Sequence, residues 1–261
     1  MPRNQSPKSP RSIAKLAILI AAFTLLSAQD SCDPVEVVQF RIVNLREDGV
    51  AVNACVIEAG GVSRGPLLTE LLPAGEVQSH FFRSLRPGEQ LRWITGTDCT
   101  VPAPGTTDVE LAVVPERQTV VLYGNTTLET EIFGSDVVPA LDPGRFYVRF
   151  FHGATGLGVV ETTQVQCGFL FPAFTDTDLG ELGFSPNNQD TFFSASVTIG
   201  QDSFSTTILV CDDTFSVVYS TPYEFFGGTQ VTFFLRGDSP PYQVTACDDA
   251  DPVGTRCAPI P

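Results

Sequence analysis

Short apolar runs, separated by turns rich in glycine, proline and charged residues, recur from residue 35 almost to the C-terminus. The first, Val35-Glu-Val-Val-Gln-Phe-Arg-Ile-Val-Asn44, is rich in β-branched residues and lies between Pro34 and the charged turn Arg46-Glu-Asp-Gly49. In the next, residues 50–57, Val50, Val52, Ala54 and Val56 fall on one face of a period-two pattern. The same signal predicts strands at residues 77–85, 90–95, 109–114 and 119–123, with turns at Pro73-Ala-Gly75, Pro87-Gly88 and Pro102-Ala-Pro-Gly105. Residues 66–72 carry the one hint of helix and are too short for more than a turn. The pattern weakens between Thr126 and Gly144, where Pro139 and Pro143-Gly144 mark a linker. It resumes at residues 145–153, 159–171, 191–199, 203–211, 215–220 and 230–236. Many short strands without a helical crossover pattern predict an all-β fold of antiparallel sandwiches.

The two halves of this pattern match each other. Cys55 and Cys99 lie 44 residues apart, as do Cys167 and Cys211, and each cysteine is 112 residues from its counterpart. Phe40-Arg-Ile-Val-Asn44 returns as Val148-Arg-Phe-Phe-His152, and Gln118-Thr-Val-Val-Leu-Tyr-Gly124 returns as Gln230-Val-Thr-Phe-Phe-Leu-Arg-Gly237. Two spacings and two flanking runs in the same order predict one β-domain duplicated, each copy with an internal disulfide. The expected organisation is a signal peptide at 1–28, a linker at 29–34, repeat 1 at 35–130, a linker at 131–142, repeat 2 at 143–246 and an acidic tail at 247–261.

The repeated openings, Arg41-Ile-Val-Asn44 and Arg149-Phe-Phe-His152, resemble the start of the tandem secreted bacterial repeats called domain of unknown function 4397. That family opens with Arg, two apolar residues, then His or Asn beside a small residue. It closes each copy with an apolar strand ending in glycine, as at Gly124 and Gly237. The family's Ser-Pro-Asp-Ala-Pro turn is replaced here by Leu45-Arg-Glu-Asp-Gly49 and Gly153-Ala-Thr-Gly156. The resemblance implies immunoglobulin-like sandwiches at the cell exterior and supplies no catalytic residues.

The first 28 residues differ in kind. Arg3, Lys8, Arg11 and Lys15 stand without an acid, an apolar run follows from Leu16 to Leu26, and Ser27-Ala28 is a small-residue exit. This is the form of a secretory signal peptide, and its apolar core is short for a membrane span. Beyond it, eleven basic residues, all arginine, face 30 acids. Such a surface repels phosphate backbones, which excludes nucleic acid as a partner. The absence of lysine excludes Schiff-base chemistry in the exported part.

All seven cysteines follow the apolar run, and export makes disulfides the expected state. No Cys-x-x-Cys pair points to zinc or redox catalysis. Duplication pairs Cys55 with Cys99 and Cys167 with Cys211, and leaves Cys247 and Cys257 as a local pair. Cys32 stands over: lipid attachment, a bond to Cys247 or Cys257, and a free thiol are all open. Membrane contact is expected only if Cys32 is lipidated.

Candidate chemistry is sparse. Gly61-Val-Ser63-Arg-Gly65 matches the nucleophile elbow by letter, but that motif needs a strand-to-helix turn above a parallel sheet. As a base it has only His80 or His152 to draw on. Asp176-Thr-Asp178-Leu-Gly-Glu181, Asp212-Asp213 and Asp248-Asp249-Ala-Asp251 offer hard oxygen ligands without an EF-hand loop, and read as solvated turns before calcium sites. No cofactor and no metal are expected. The reading that follows is a non-enzymatic exported module, binding an unknown protein or glycan at the cell surface. Its alternatives are a calcium-dependent adhesion or glycan-binding module and a secreted serine hydrolase through Ser63.

Overall fold

Strand β1 (Glu36–Arg46) is buried on both faces from Phe40 onward, and the pattern of its residues explains why. Val38, Phe40 and Ile42 point one way, into a core of aliphatic side chains and the sole tryptophan. Val43 and Leu45 point the other way, into a second apolar cluster. A strand apolar on both faces belongs inside a layered structure. It pairs antiparallel with β4 (Val77–Leu85) and parallel with β7 (Arg117–Gly124), which pairs with β8 (Leu128–Phe133). The computed structural model of the chain describes residues 35–111, 117–133, 143–155, 169–170, 193–196, 203–211, 217–249 and 256–261. Among the described residues every element is a strand, and Val35–Pro261 form one compact unit.

The sheet β4-β1-β7-β8 faces a second sheet, ordered β3 (Ser63–Arg64), β2 (Asn53–Ile57), β5 (Gln90–Ile94) and β6 (Val109–Glu110). Val52 just before β2, Ala54 and Val56 of β2, and Leu91 and Trp93 of β5 meet Val38, Phe40, Ile42, Val120 and Leu122 across the gap. Trp93 is fully buried, and its indole N–H donates to Thr130 Oγ1 at 2.9 Å, which joins β5 to β8 across the layers. A buried indole needs such an acceptor.

The same neighbour pattern occurs a second time. β9 (Arg145–His152) lies parallel to β14 (Gln230–Arg236), which pairs antiparallel with β15 (Gln243–Asp248). β11 (Phe193–Ser196) closes one edge and β16 (Arg256–Ile260) the other, giving the order β11-β9-β14-β15-β16. A third group, β10 (Phe169–Leu170), β12 (Ser203–Cys211) and β13 (Val217–Phe226), forms its own sheet. Phe225 of β13 stacks on Phe146 of β9 at 4.4 Å, and Tyr223 meets Phe233 of β14 edge-on at 5.0 Å. These rings and Val148, Val231, Leu235 and Val244 form the second core.

The central sheets then pack back to back. Val43, Leu45, Val121 and Tyr123 meet Phe151, Phe234 and Cys247 in one cluster. Four sheets are thus layered in sequence, and the expected all-antiparallel pairing is corrected at β1–β7 and β9–β14, two parallel pairs that lie in the inner layers where apolar residues on both strand faces are covered.

Several elements differ from the sequence expectation. Residues 247–261, expected as an acidic tail, include the end of β15 and all of β16, held in the sheet by pairing from Val244–Ile260 to Asp248–Arg256. β8 runs to Phe133, into the segment expected as linker, because Thr130 and Ile132 alternate inward beside polar Glu129 and Glu131. Residues 66–72, expected as no more than a turn, accordingly form no helix, and Leu72 makes an isolated bridge with Val52. The expected signal peptide, the linker at 29–34 and Cys32 lie outside the described residues, as does Cys167.

Candidate functional site

The back-to-back interface is not purely apolar. Arg41 of β1 and Arg149 of β9 occupy the corresponding positions of the two repeated openings, and both are essentially inaccessible to solvent. Each faces a threonine in its parallel partner strand: Arg41 is in register with Thr119, and Arg149 with Thr232. Arg41 Nε donates to Thr119 Oγ1 at 2.9 Å, and Arg149 Nη2 donates to Thr232 Oγ1 at 3.1 Å. The alternation that sends Val43 and Phe151 to the interface sends these arginines there too.

One carboxylate stands between them. Asp249, just past β15, pairs through Oδ1 with Arg41 Nη1 and accepts from the Thr232 hydroxyl through Oδ2, which lies 3.9 Å from Arg149 Nη2. Its backbone is held as well: its N–H donates to Gln230 O at 2.6 Å, and Arg117 Nη1 donates to its carbonyl at 2.8 Å. Asp249 therefore touches β1, β7 and β14 and neutralises charge from both halves. The acidic run Asp248-Asp249-Ala-Asp251, expected as a solvated turn, is corrected at Asp249, which is buried. Residue 251 lies outside the described residues.

A second cross-brace closes one open end of the first sandwich. Arg64 of β3 reaches Glu89, which is buried, at 2.6 Å, Glu58 at 3.0 Å and the carbonyl of Ser84 on β4 at 3.3 Å. Glu89 also accepts from the Arg86 N–H at 3.0 Å. The glycine motif around Ser63 is thus an edge hairpin: Ser63 is in antiparallel register with Ile57 of β2, without a strand-to-helix turn. Gly65 has φ +140°, and a Cβ there would lie 3.2 Å from Cys55 Cα, so the glycine admits the chain beside the disulfide. His80 is half-buried on β4, and His152 Nδ1 accepts from the Ala154 N–H at 3.3 Å at the end of β9. Asn44, at the matching place in β1, donates to Leu72 O at 2.9 Å and Val50 O at 3.1 Å.

Two disulfides lie among the described residues. Cys55–Cys99 sits on the outer face of the sheet β3-β2-β5-β6 with Ile57 and Ile94, so it braces β2 against the loop after β5 within one layer. Arg92, in register with Cys55, donates to Cys99 O at 3.2 Å and forks onto Asp108. Cys247–Cys257 joins directly opposed residues of β15 and β16. Cys211 ends β12, and its expected bond to Cys167 falls outside the described residues. Among the described residues, no group of three or more His, Cys, Asp or Glu is placed to hold a metal ion.

The open side of the first sandwich presents a groove of about 410 Å³ between β4 and residues 67–73. Leu68, Leu71 and Pro73 form one wall, Phe81 and Arg83 the other, and Glu76 stands among its lining residues. The Arg83 guanidinium lies 5.5 Å from the Phe81 ring centre and donates to Leu67 O at 2.8 Å, which holds the walls together. The groove therefore combines apolar walls with a carboxylate and a fixed cation.

Arg41 and Arg149 mark the repeated openings in the sequence as charged residues within otherwise apolar runs, but nothing in the sequence shows that both turn inward. Nothing in the sequence marked Asp249 apart from its acidic neighbours. Comparison of the chain with protein-family models and with curated proteins finds no match.

Proposed function

We propose that the chain is an exported, non-enzymatic binding or structural module of the cell envelope or surface, built from two tandem immunoglobulin-like β-sandwiches. The observation that carries this reading is the use of the repeated charged position. Arg41 and Arg149 both turn inward onto Asp249, so the duplicated polar chemistry braces a scaffold. Disulfides are the chemistry of an oxidising compartment, which supports export. The groove beside β4 is the ligand-facing feature of this reading, for an unidentified protein or glycan.

The test is fractionation of cells producing the full chain, followed by retention of the purified protein on intact cells. The expected result is export, with surface retention reduced at least tenfold by Leu71→Arg in the groove wall at an unchanged unfolding midpoint. Retention of the protein in the cytosol, or equal retention of the variant, sinks the reading.

A further inference from the structure

The two disulfides differ in exposure and in what they hold. Cys55 is fully buried and Cys99 nearly so, and the bond lies against Gly65, Ile57 and Ile94. Cys247 is also buried, but Cys257 is partly exposed on β16, whose one sheet neighbour among the described residues is β15. The two residues are directly opposed, with Cα atoms 4.1 Å apart. Cys247 belongs to the cluster between the back-to-back sheets, and Asp249 follows it by two residues.

We propose that Cys247–Cys257 is a thiol-exchange site for external dithiols, and that the bond acts as a clasp on the segment that delivers Asp249 to the two buried arginines. A thiolate of the dithiol attacks Cys257 Sγ, the bond between the two Sγ atoms breaks, and Cys247 leaves as a thiolate that takes up a proton. The second thiol of the reagent then attacks its own sulfur in the mixed disulfide and releases Cys257 as a thiol. Two electrons and two protons pass to the protein, and the dithiol leaves oxidised. Access decides the selectivity, since exchange requires a sulfur that the reagent can reach.

The consequence follows from the connections of β16. Without the bond, its ladder to β15, the two hydrogen bonds from the Tyr219 hydroxyl to Ile260 O and Pro261 O, each 3.0 Å, and the packing of Cys257 and Ile260 on the neighbouring apolar clusters remain to hold it. An edge strand frays before the interior of its sheet, and the fraying reaches β15 where Asp249 leaves it. The site is a property of the fold and does not depend on the proposed envelope role.

The test uses the full-length exported protein under native conditions, treated with graded dithiothreitol, alkylated and mapped by peptide mass spectrometry. Cys247 and Cys257 are expected to become alkylated about tenfold faster than Cys55 and Cys99, as thiol access requires. Opening of both disulfides at one rate, or of Cys55–Cys99 first, overturns the exchange site. Hydrogen exchange on the selectively reduced protein tests the clasp. Faster exchange across residues 256–260 and at Asp249, with β2 and β5 unchanged, supports it. Unaltered protection at Asp249 overturns it.

Discussion

Arg41 and Asp249 form an ion pair whose side chains are both fully shielded from solvent, although 208 residues separate them in the chain. Two features make the pair tolerable. Thr119 and Thr232 satisfy further donors and acceptors, and the backbone of Asp249 is fixed by Gln230 and Arg117. A buried pair of this kind specifies one arrangement of the halves more than it adds stability, because desolvation offsets much of its attraction. Removing one member leaves an uncompensated charge. Asp249→Asn should therefore cost about 3–5 kcal/mol. Combining it with Arg41→Met should recover part of that loss, and urea unfolding of the two single variants and the double variant measures the coupling. Additive losses would show that the two side chains do not act as a pair.

Much of the fold was legible because alternation is a local signal. Strands at Val77–Leu85, Ser203–Cys211 and Gln230–Arg236 have the bounds expected from their runs of apolar and polar residues. β8 and β16 were missed because Leu128-Glu-Thr-Glu-Ile-Phe133 and Arg256-Cys-Ala-Pro-Ile260 lie at sheet edges, where partial exposure permits polar residues and proline. The layering was not legible either. A strand with apolar residues on both faces shows that something covers it, but which sheet does so is a long-range fact. Asp249 illustrates the limit: its neighbours Asp248 and Asp251 have the same side chain, and only β15's register turns Asp249 toward Arg41.

The Ser63 loop separates packing from chemistry. Ser63→Ala should change stability by less than about 0.5 kcal/mol, since its side chain is half-exposed on a two-residue strand. Gly65→Ala should cost about 2 kcal/mol or more, because φ is +140° and the new Cβ meets Cys55 Cα at 3.2 Å and Sγ at 3.3 Å. Thermal unfolding of both variants decides the matter, and a costly Ser63→Ala beside a harmless Gly65→Ala would contradict the packing described.

Trp93 offers an internal reporter for the first sandwich. Trp93 is fully buried while Thr130 is half-buried, so Thr130→Val should remove the indole's acceptor at a cost of about 1 kcal/mol. Because Trp93 is the one tryptophan of the chain, its fluorescence follows the β5–β8 contact directly. Fluorescence-detected unfolding with no change in midpoint would show that water replaces the hydroxyl.

Alkaline pH should weaken the second core through Tyr223. Burial, and then the negative charges of Asp248 and Asp249, push its hydroxyl up to about 12 from the usual 10.0. Between these values the unfolded chain has lost the phenolic proton while the folded one retains it. Stability must therefore fall as pH rises through this window, and the contribution is fully present below pH 10. Tyr219 is raised by burial as well and acts in the same direction. Tyr223→Phe removes the ionisable group but keeps the ring against Phe225 and Phe233. The variant should show a shallower loss of unfolding midpoint between pH 10 and 12 than the parent protein. An identical slope in the two proteins would mean that the Tyr223 hydroxyl is not desolvated in the fold.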